Sequence, residues 1–578
     1  MTATATDLEA LGLRRPEPGD VGPDDVLTLR RRLWVWGGLH RASLLIVGGL
    51  LAVAGAVHGW GAAHSPALTD DEGTYMAQAW AVQVQHTLAP YTYWYDHPPL
   101  AWLQIAGWTW LTGSFRPSVD AIDAGRQLMV IASMISSGLL YVLSRRLEMR
   151  RWTAAVVVAL FALSPLAVDY QRLVLLDNVA VPWLLAAMVL AASPRRSLWA
   201  ASAAGACMAV SILSKETFLL FLPAVAVLLW VRADRRTRSF CLTGFAATFV
   251  LLAAAYPLYA TLKGELIPGK GHVSLWQAVD FQLFARQSSG SLFAAGSNAH
   301  TTAANWLHLD AWLLGVGLLA LPVSLSARRA WPVIVALAVP LLTILRGGYL
   351  PDPFVIGLLP FAALSVGMAL DVLAGPRPAG PDRTGPQRPA SLVERMARTA
   401  GAARRPSGRG ALAAGVAVAL VLTVAPRWDH GDRALAAANA TTPVWSAETW
   451  IEQHVSKNQR LIVDDSIWVD LVEHGFDPDL GVVWFYKLDN SNNLDPSVSR
   501  ALPQGWKDFG YIVSTPVIRS ALAQMPGQLT PVRDAIGSSQ VVASFGAGAA
   551  TVQVRRITVP GRTWPTTVRR PAPAPARP

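Results

Sequence analysis

Three carboxylates, Asp70, Asp71 and Glu72, stand in a row in the stretch SPALTDDEGTYMAQAW, directly after a long apolar run. Adjacent carboxylates repel, which raises the pKa of at least one and yields a group able to hold a proton or a cation. A solvated loop is the plainer reading. Further along, YDHPPL supplies Asp96 and His97, and DYQRLVLLDN supplies Asp169, Arg172 and Asp177. LSKETF supplies Lys215 and Glu216, and LRGGYLPDPF supplies Arg346, Tyr349 and Asp352. Cations of this kind hold an anionic phosphate. A carboxylate takes the proton from an attacking hydroxyl, and cations stabilise the charge on a departing phosphate. Taken singly, each has a simpler role: Arg172 and Arg346 could snorkel to lipid headgroups, Lys215 could pair with Glu216, and Asp177 with Arg172.

The elements that must position these residues are membrane spans. The 578-residue chain is 52% hydrophobic and only 15% charged, against about 25% charged in soluble domains. Its apolar runs are of the length that crosses a hydrocarbon core of roughly 30 Å. They predict a polytopic α-helical membrane protein of about eleven transmembrane helices, near 42–60, 124–143, 152–168, 173–192, 198–213, 216–231, 239–261, 311–326, 331–345, 354–374 and 410–426. With residues 1–41 cytoplasmic, alternate loops are basic: Arg145, Arg146, Arg150 and Arg151, then Arg232, Arg235, Arg236 and Arg238, then Arg328 and Arg329. That is the positive-inside bias, and it accounts for the net charge of +11 without a nucleic-acid partner. Cys207 and Cys241 fall in or beside apolar runs and suggest no disulfide framework.

This topology places loop 61–123, loop 262–310 and the region after 427 on the extracytoplasmic side, together with all the candidate residues above. A charge at the edge of the apolar layer is costly and tends to mark a site. The aromatic stretch YTYWYDHPPLAWLQIAGWTWLTG reads as interfacial or re-entrant, with Trp94, Trp102, Trp108 and Trp110 as anchors or as the lining of a groove. Residues 375–409 are Pro-, Gly- and Arg-rich and read as a disordered cytoplasmic loop, as does the Pro-rich tail 561–578. Residues 427–560 alternate helix and strand patterns (AETWIEQHV, RLIVDD, GVVWFYKL, GYIVST, ATVQVRRI) and read as a small extracytoplasmic α/β domain. Asp464, Asp465 and Asp470 read there as strand-end and surface residues.

The ordered set TDDEGTY, YDHPPL, RLVLLDN, LSKETFLLFLP and YLPDPFVIGLLPFAAL resembles the GT-C superfamily of glycosyltransferases, in particular the family 39 group of protein O-mannosyltransferases and aminoarabinose transferases. The resemblance spans about residues 40–375, so that 42–374 is the implied catalytic region. It implies an inverting transfer from a polyprenyl-phosphate sugar to an acceptor hydroxyl on a protein, lipid or glycan, at the outer face of the cell membrane. On it, Asp71 takes the place of the base, with Glu72 beside it and Asp70 as an extra carboxylate. Asp96, His97, Arg172, Asp177, Lys215, Arg346 and Tyr349 fall to substrate binding, Lys215 at the phosphate. Glu216 stands where relatives commonly have glycine. Metal dependence stays open: no cofactor motif is present, but Asp96, His97 and Glu72 offer oxygen and nitrogen ligands for a divalent ion. The competing reading is a transporter or flippase for a lipid-linked or anionic substrate. Such proteins often carry internal repeats, and the sequence shows none.

Overall fold

The computed structural model describes residues 29–194, 196–269, 272–375, 408–489, 495–525 and 527–559. The expected cytoplasmic loop within 376–407, most of segment 1–41 and the tail 561–578 lie outside the described residues.

Helices stand at each of the eleven places where the apolar runs fall. The first half comprises α1 (Leu29–Gly59), α2 (Asp70–Val84), α3 (Leu100–Thr112), α4 (Ala121–Arg146), α5 (Arg151–Ala162) and α6 (Pro165–Arg172). Then follow α7 (Leu176–Ala191), α8 (Leu198–Ser214), α9 (Leu222–Arg232, preceded by a 3-10 turn from Glu216), α10 (Arg238–Ala253) and α11 (Ala255–Leu262). The set closes with α12 (Asn298–Leu319), α13 (Trp331–Leu345), α14 (Val355–Leu373) and α15 (Gly408–Ala437). Seven helical segments among the described residues are long and apolar enough to cross a membrane, or eight if the pair α5–α6, bent by 58°, counts as one span. The chain is thus a multi-pass helical membrane protein. Helices α7 and α8 fall short: the 17 residues of α8, at ~1.5 Å each, reach about 26 Å, less than the roughly 30 Å of hydrocarbon.

The four tryptophans of the aromatic stretch differ in their surroundings. Pro98 and Pro99 end an extended segment and start α3. Trp102 on that helix is fully buried, whereas Trp110 is exposed; Trp108 donates its indole N–H to the Ala124 carbonyl at 2.9 Å.

Helix α15 continues through 427 to Ala437, so the C-terminal domain starts about ten residues later than the hydropathy suggests. It is α/β: α16 (Thr442–His454), β1 (Leu461–Val463), α17 (Trp468–Glu473), β2 (Val482–Trp484), β3 (Tyr511–Ser514), α18 (Pro516–Gln524), α19 (Thr530–Gly537), β4 (Ser539–Phe545) and β5 (Val552–Ile557). The sheet order is β2-β1-β3-β5-β4. Strand β1 pairs in parallel with β2 and β3, and the remaining pairs are antiparallel. β1 and β2 are buried along their whole length, as covered parallel strands are.

This domain rests on α2. Gly73 permits the approach, for a Cβ there would lie 2.1 Å from the Asp465 carbonyl carbon. Thr74 donates to the Asp465 carboxylate, Trp80 donates to Glu473 at 2.7 Å, and Trp80 meets Trp468 edge-on at 5.3 Å.

Candidate active site

The acidic triplet is the first turn of a helix. Thr69 and Glu72 form a capping box that starts α2: the Thr69 hydroxyl accepts from Glu72 N, and Glu72 Oε2 accepts from Thr69 N. A T-x-x-E pattern ahead of an apolar run is the sequence signature of that device. Negative charge in a first turn also suits the positive end of the helix dipole.

The three carboxylates separate in role. Glu72 is fully buried and takes Arg126 Nε and Nη2 at 2.8 Å each, plus Val174 N at 3.0 Å. Arg126 also donates to the Ala62 carbonyl at 2.9 Å. The expectation of Glu72 as a catalytic group or metal ligand is therefore corrected: its oxygens are consumed by a buried ion pair that ties α2 to α4. Asp70 opens to solvent yet is crowded by protein atoms. That crowding, followed by the Asp71 charge, pushes its carboxyl up to about 6. Asp71 is half-buried, and its carboxylate makes no hydrogen bond or ion pair among the described residues.

His97 and Lys215 meet. Lys215 Nζ lies 3.2 Å from His97 Nε2, and His97 Nδ1 lies 3.0 Å from Glu216 Oε2. An ammonium has only protons to give, so Nε2 accepts from Lys215 and Nδ1–H donates to Glu216. Burial works to lower the His97 pKa, but Glu216 outweighs it and raises the value above the ordinary one. Lys215 is itself buried and 4.0 Å from Glu216. Asp71, Asp96 and Asp177 act on Lys215 as well. The same set converges on Tyr75, whose phenol is raised by burial and then by Asp71, Asp96, Asp177 and Glu216. Four chain segments distant in sequence thus share one electrostatic neighbourhood, to which Asp352 belongs through its coupling to Asp71. Asp352 accepts from Tyr170 Oη at 2.6 Å.

Three of the expected binding residues stand apart. Arg172 is fully buried and donates to the carbonyls of Val57 and Trp60 at 2.8 Å each. It caps the end of α1 rather than facing substrate, which corrects its expected role. Arg346 is exposed, and Tyr349, also exposed, lies under the guanidinium of Arg286 at 3.5 Å. The trio Asp96, His97 and Glu72 does not fit a divalent ion, because Glu72 belongs to Arg126 and His97 faces an ammonium.

Asp464, Asp465 and Asp470 are also corrected, being buried rather than superficial. Asp465 accepts from Tyr486 Oη at 2.8 Å as well as from Thr74. Burial, then contributions that include Asp70, raises its carboxyl well above the usual range. Tyr75, Arg126 and Asp465 are the residues that sequence reasoning passed over. For Arg126 a signal existed, since a lone arginine within an apolar run demands a buried partner.

Beside the site, Tyr93 donates to the His97 carbonyl at 2.7 Å and also lines a cavity of about 1320 Å³ with Tyr91, Trp94, Tyr259, Lys263 and Glu265. Elsewhere, Asp120, Glu448 and Asp470 bring one carboxylate oxygen each within 4.8 Å of one another, a grouping able to hold a metal ion.

The fold has known counterparts. ArnT from Cupriavidus metallidurans in the apo state superposes with a TM-score of 0.54 at 15% identity, over 90% of this chain and 98% of that one. The chain thus shares the fold of that structure. The same ArnT bound to undecaprenyl phosphate gives 0.52 at 15% identity over the same shares. The archaeal oligosaccharyltransferase AglB from Archaeoglobus fulgidus, in complex with an inhibitory peptide and a dolichol-phosphate, gives 0.51 at 12% identity over 82% and 70%. By sequence, residues 96–259 match the family described as dolichyl-phosphate-mannose-protein mannosyltransferase. No curated protein matches the chain.

Proposed function

We propose that the chain is a membrane glycosyltransferase that moves a sugar from a polyprenyl-phosphate donor to an acceptor hydroxyl, with Asp71 as base. The observation that carries this reading is the contact of Lys215 with His97 beside the unpaired Asp71 carboxylate. The acceptor oxygen attacks the anomeric carbon while its proton passes to Asp71. The bond from that carbon to the phosphate oxygen breaks, and the lipid phosphate leaves with the electron pair. Lys215 and His97 stabilise the charge that develops. One direct displacement inverts the anomeric configuration.

A polyprenyl phosphate as donor is supported by the GT-C fold and by the lipid phosphates held by structural counterparts. Asp96 and Asp177, which act on the same cation, orient the sugar and acceptor hydroxyls. The full topology on this reading has eleven spans, with α7, α8 and α9 shortened by their burial among other helices. The N-terminus is cytoplasmic, and the outer domain and site face out of the cell at the plasma membrane. The Tyr- and Trp-lined cavity behind Tyr93 gives an amphipathic acceptor (protein, lipid or glycan) a place to lie.

The test is mass spectrometry of envelope glycans and glycoproteins from cells with the chain, without it, and with Asp71→Asn. A glycan missing in the last two names sugar and acceptor. An unchanged profile in cells lacking the chain rejects the transferase reading.

A further inference from the structure

The second acidic cluster lies where the spanning core meets the outer domain. Asp120 is the N-cap of α4 and accepts from Asp123 N at 2.7 Å. Glu448 comes from α16 and Asp470 from α17. Asp470 is only 6% exposed. Its Oδ1 accepts from Ala121 N at 3.0 Å, while its Oδ2 is buried with no hydrogen-bond partner. A buried carboxylate oxygen left unpaired carries its full desolvation cost.

The surroundings add negative charge rather than cancel it. Asp123 acts on Asp120, and Glu473 acts on Asp470. The charge of Arg126 reaches Asp120, but its guanidinium is already engaged by Glu72. Two remedies exist for such a cluster: shared protons or a bound cation.

We propose that Asp120, Glu448 and Asp470 bind a divalent cation of the Ca²⁺, Mg²⁺ or Mn²⁺ class that fastens the outer domain to the start of α4. The buried Asp470 Oδ2 keeps lone pairs that no hydrogen-bond donor among the described residues meets. The donor set is all oxygen, without thiolate or imidazole, which favours a hard ion over zinc. Asp120 and Glu448 are only part-buried, so an ion can enter and keep some water ligands. One ligand belongs to the spanning core and two to the outer domain, so binding stabilises the docked state by linkage. Nothing in this assignment depends on Asp71 or on the transferase reading.

The experiment uses the full-length protein in detergent, stripped with EDTA. Tb³⁺ luminescence excited through indole reads the site directly, since Trp445 lies beside Asp120. Thermal melting with and without Ca²⁺, Mg²⁺ or Mn²⁺ reads the linkage. The expected result is sensitised Tb³⁺ emission displaced by one of these ions, and a melting midpoint that rises when it is added. Glu448→Gln and Asp470→Asn weaken that response roughly tenfold or more. Asp120→Asn, which keeps the N-cap, does the same. A wild-type midpoint unmoved by all three ions overturns the proposal whatever the variants do. A response that persists undiminished in all three variants places the ion elsewhere and overturns it too.

Discussion

Asp71 and Glu72 are neighbours in sequence with opposite predicted fates. Replacing Asp71 by Asn leaves the packing intact, because its carboxylate has no protein partner to lose. On the proposed mechanism it removes the general base, which contributes roughly a hundred- to ten-thousand-fold to rate, or about 2.7–5.4 kcal/mol at ~1.36 kcal/mol per decade. Replacing Glu72 by Gln leaves the Arg126 guanidinium buried and uncompensated, with only one amide oxygen in place of two charged ones. Breaking a buried pair in this way costs about 3–5 kcal/mol, a large share of a stability of about 5–15 kcal/mol. The assays are thermal melting of each purified variant and sugar transfer per mole of folded protein. Asp71→Asn should melt like wild type and transfer little; Glu72→Gln should melt early, its surviving folded fraction remaining active. A stable but inactive Glu72→Gln, or an active Asp71→Asn, refutes the division of labour.

Lys215→Ala should raise the KM for a polyprenyl-phosphate donor, whereas Glu216→Gln, by releasing Lys215 and His97 from a competing carboxylate, should lower it; changes in the same direction would discard the phosphate assignment. Gly73→Ala drives a methyl group into the Asp465 backbone, so limited proteolysis should release the outer domain faster, and an unchanged digestion pattern would contradict the docking described. The Asp70 carboxyl is raised from 3.8 to about 6, so the folded chain binds more protons than the unfolded one between those values, and this residue's contribution to stability falls as pH rises through that window. Asp70→Asn should abolish that component of the melting profile between pH 4 and 6, and a variant curve parallel to the wild type would assign it to other groups.

Hydropathy made the helices legible because burial in lipid is a property of composition. Span lengths were less legible: α7 stops short of the apolar run that contains it, because hydropathy does not mark where a helix ends. The proximity of Asp71, His97, Asp177 and Lys215 agrees with the single side to which charge asymmetry assigns them. Individual duties do not follow from that asymmetry, because Glu72 and Arg172 are separated from the reactive set only by partners brought in from Arg126 and from the end of α1. The T-x-x-E signature and the lone Arg126 were the two local cues to Glu72's structural duty. Asp464 and Asp465 had no such cue, since a strand-end aspartate looks alike whether it meets water or the Thr74 face of α2.

The first turn of α2 is gripped from two directions, by Arg126 below and by the Asp465–Ser466 backbone pressed against Gly73. The proposed base is thereby mounted on a keystone shared by two bodies instead of hanging from a free loop. Cutting the chain after α15 would take away one of these two holds, so the helical half alone grips the acidic turn from one side only.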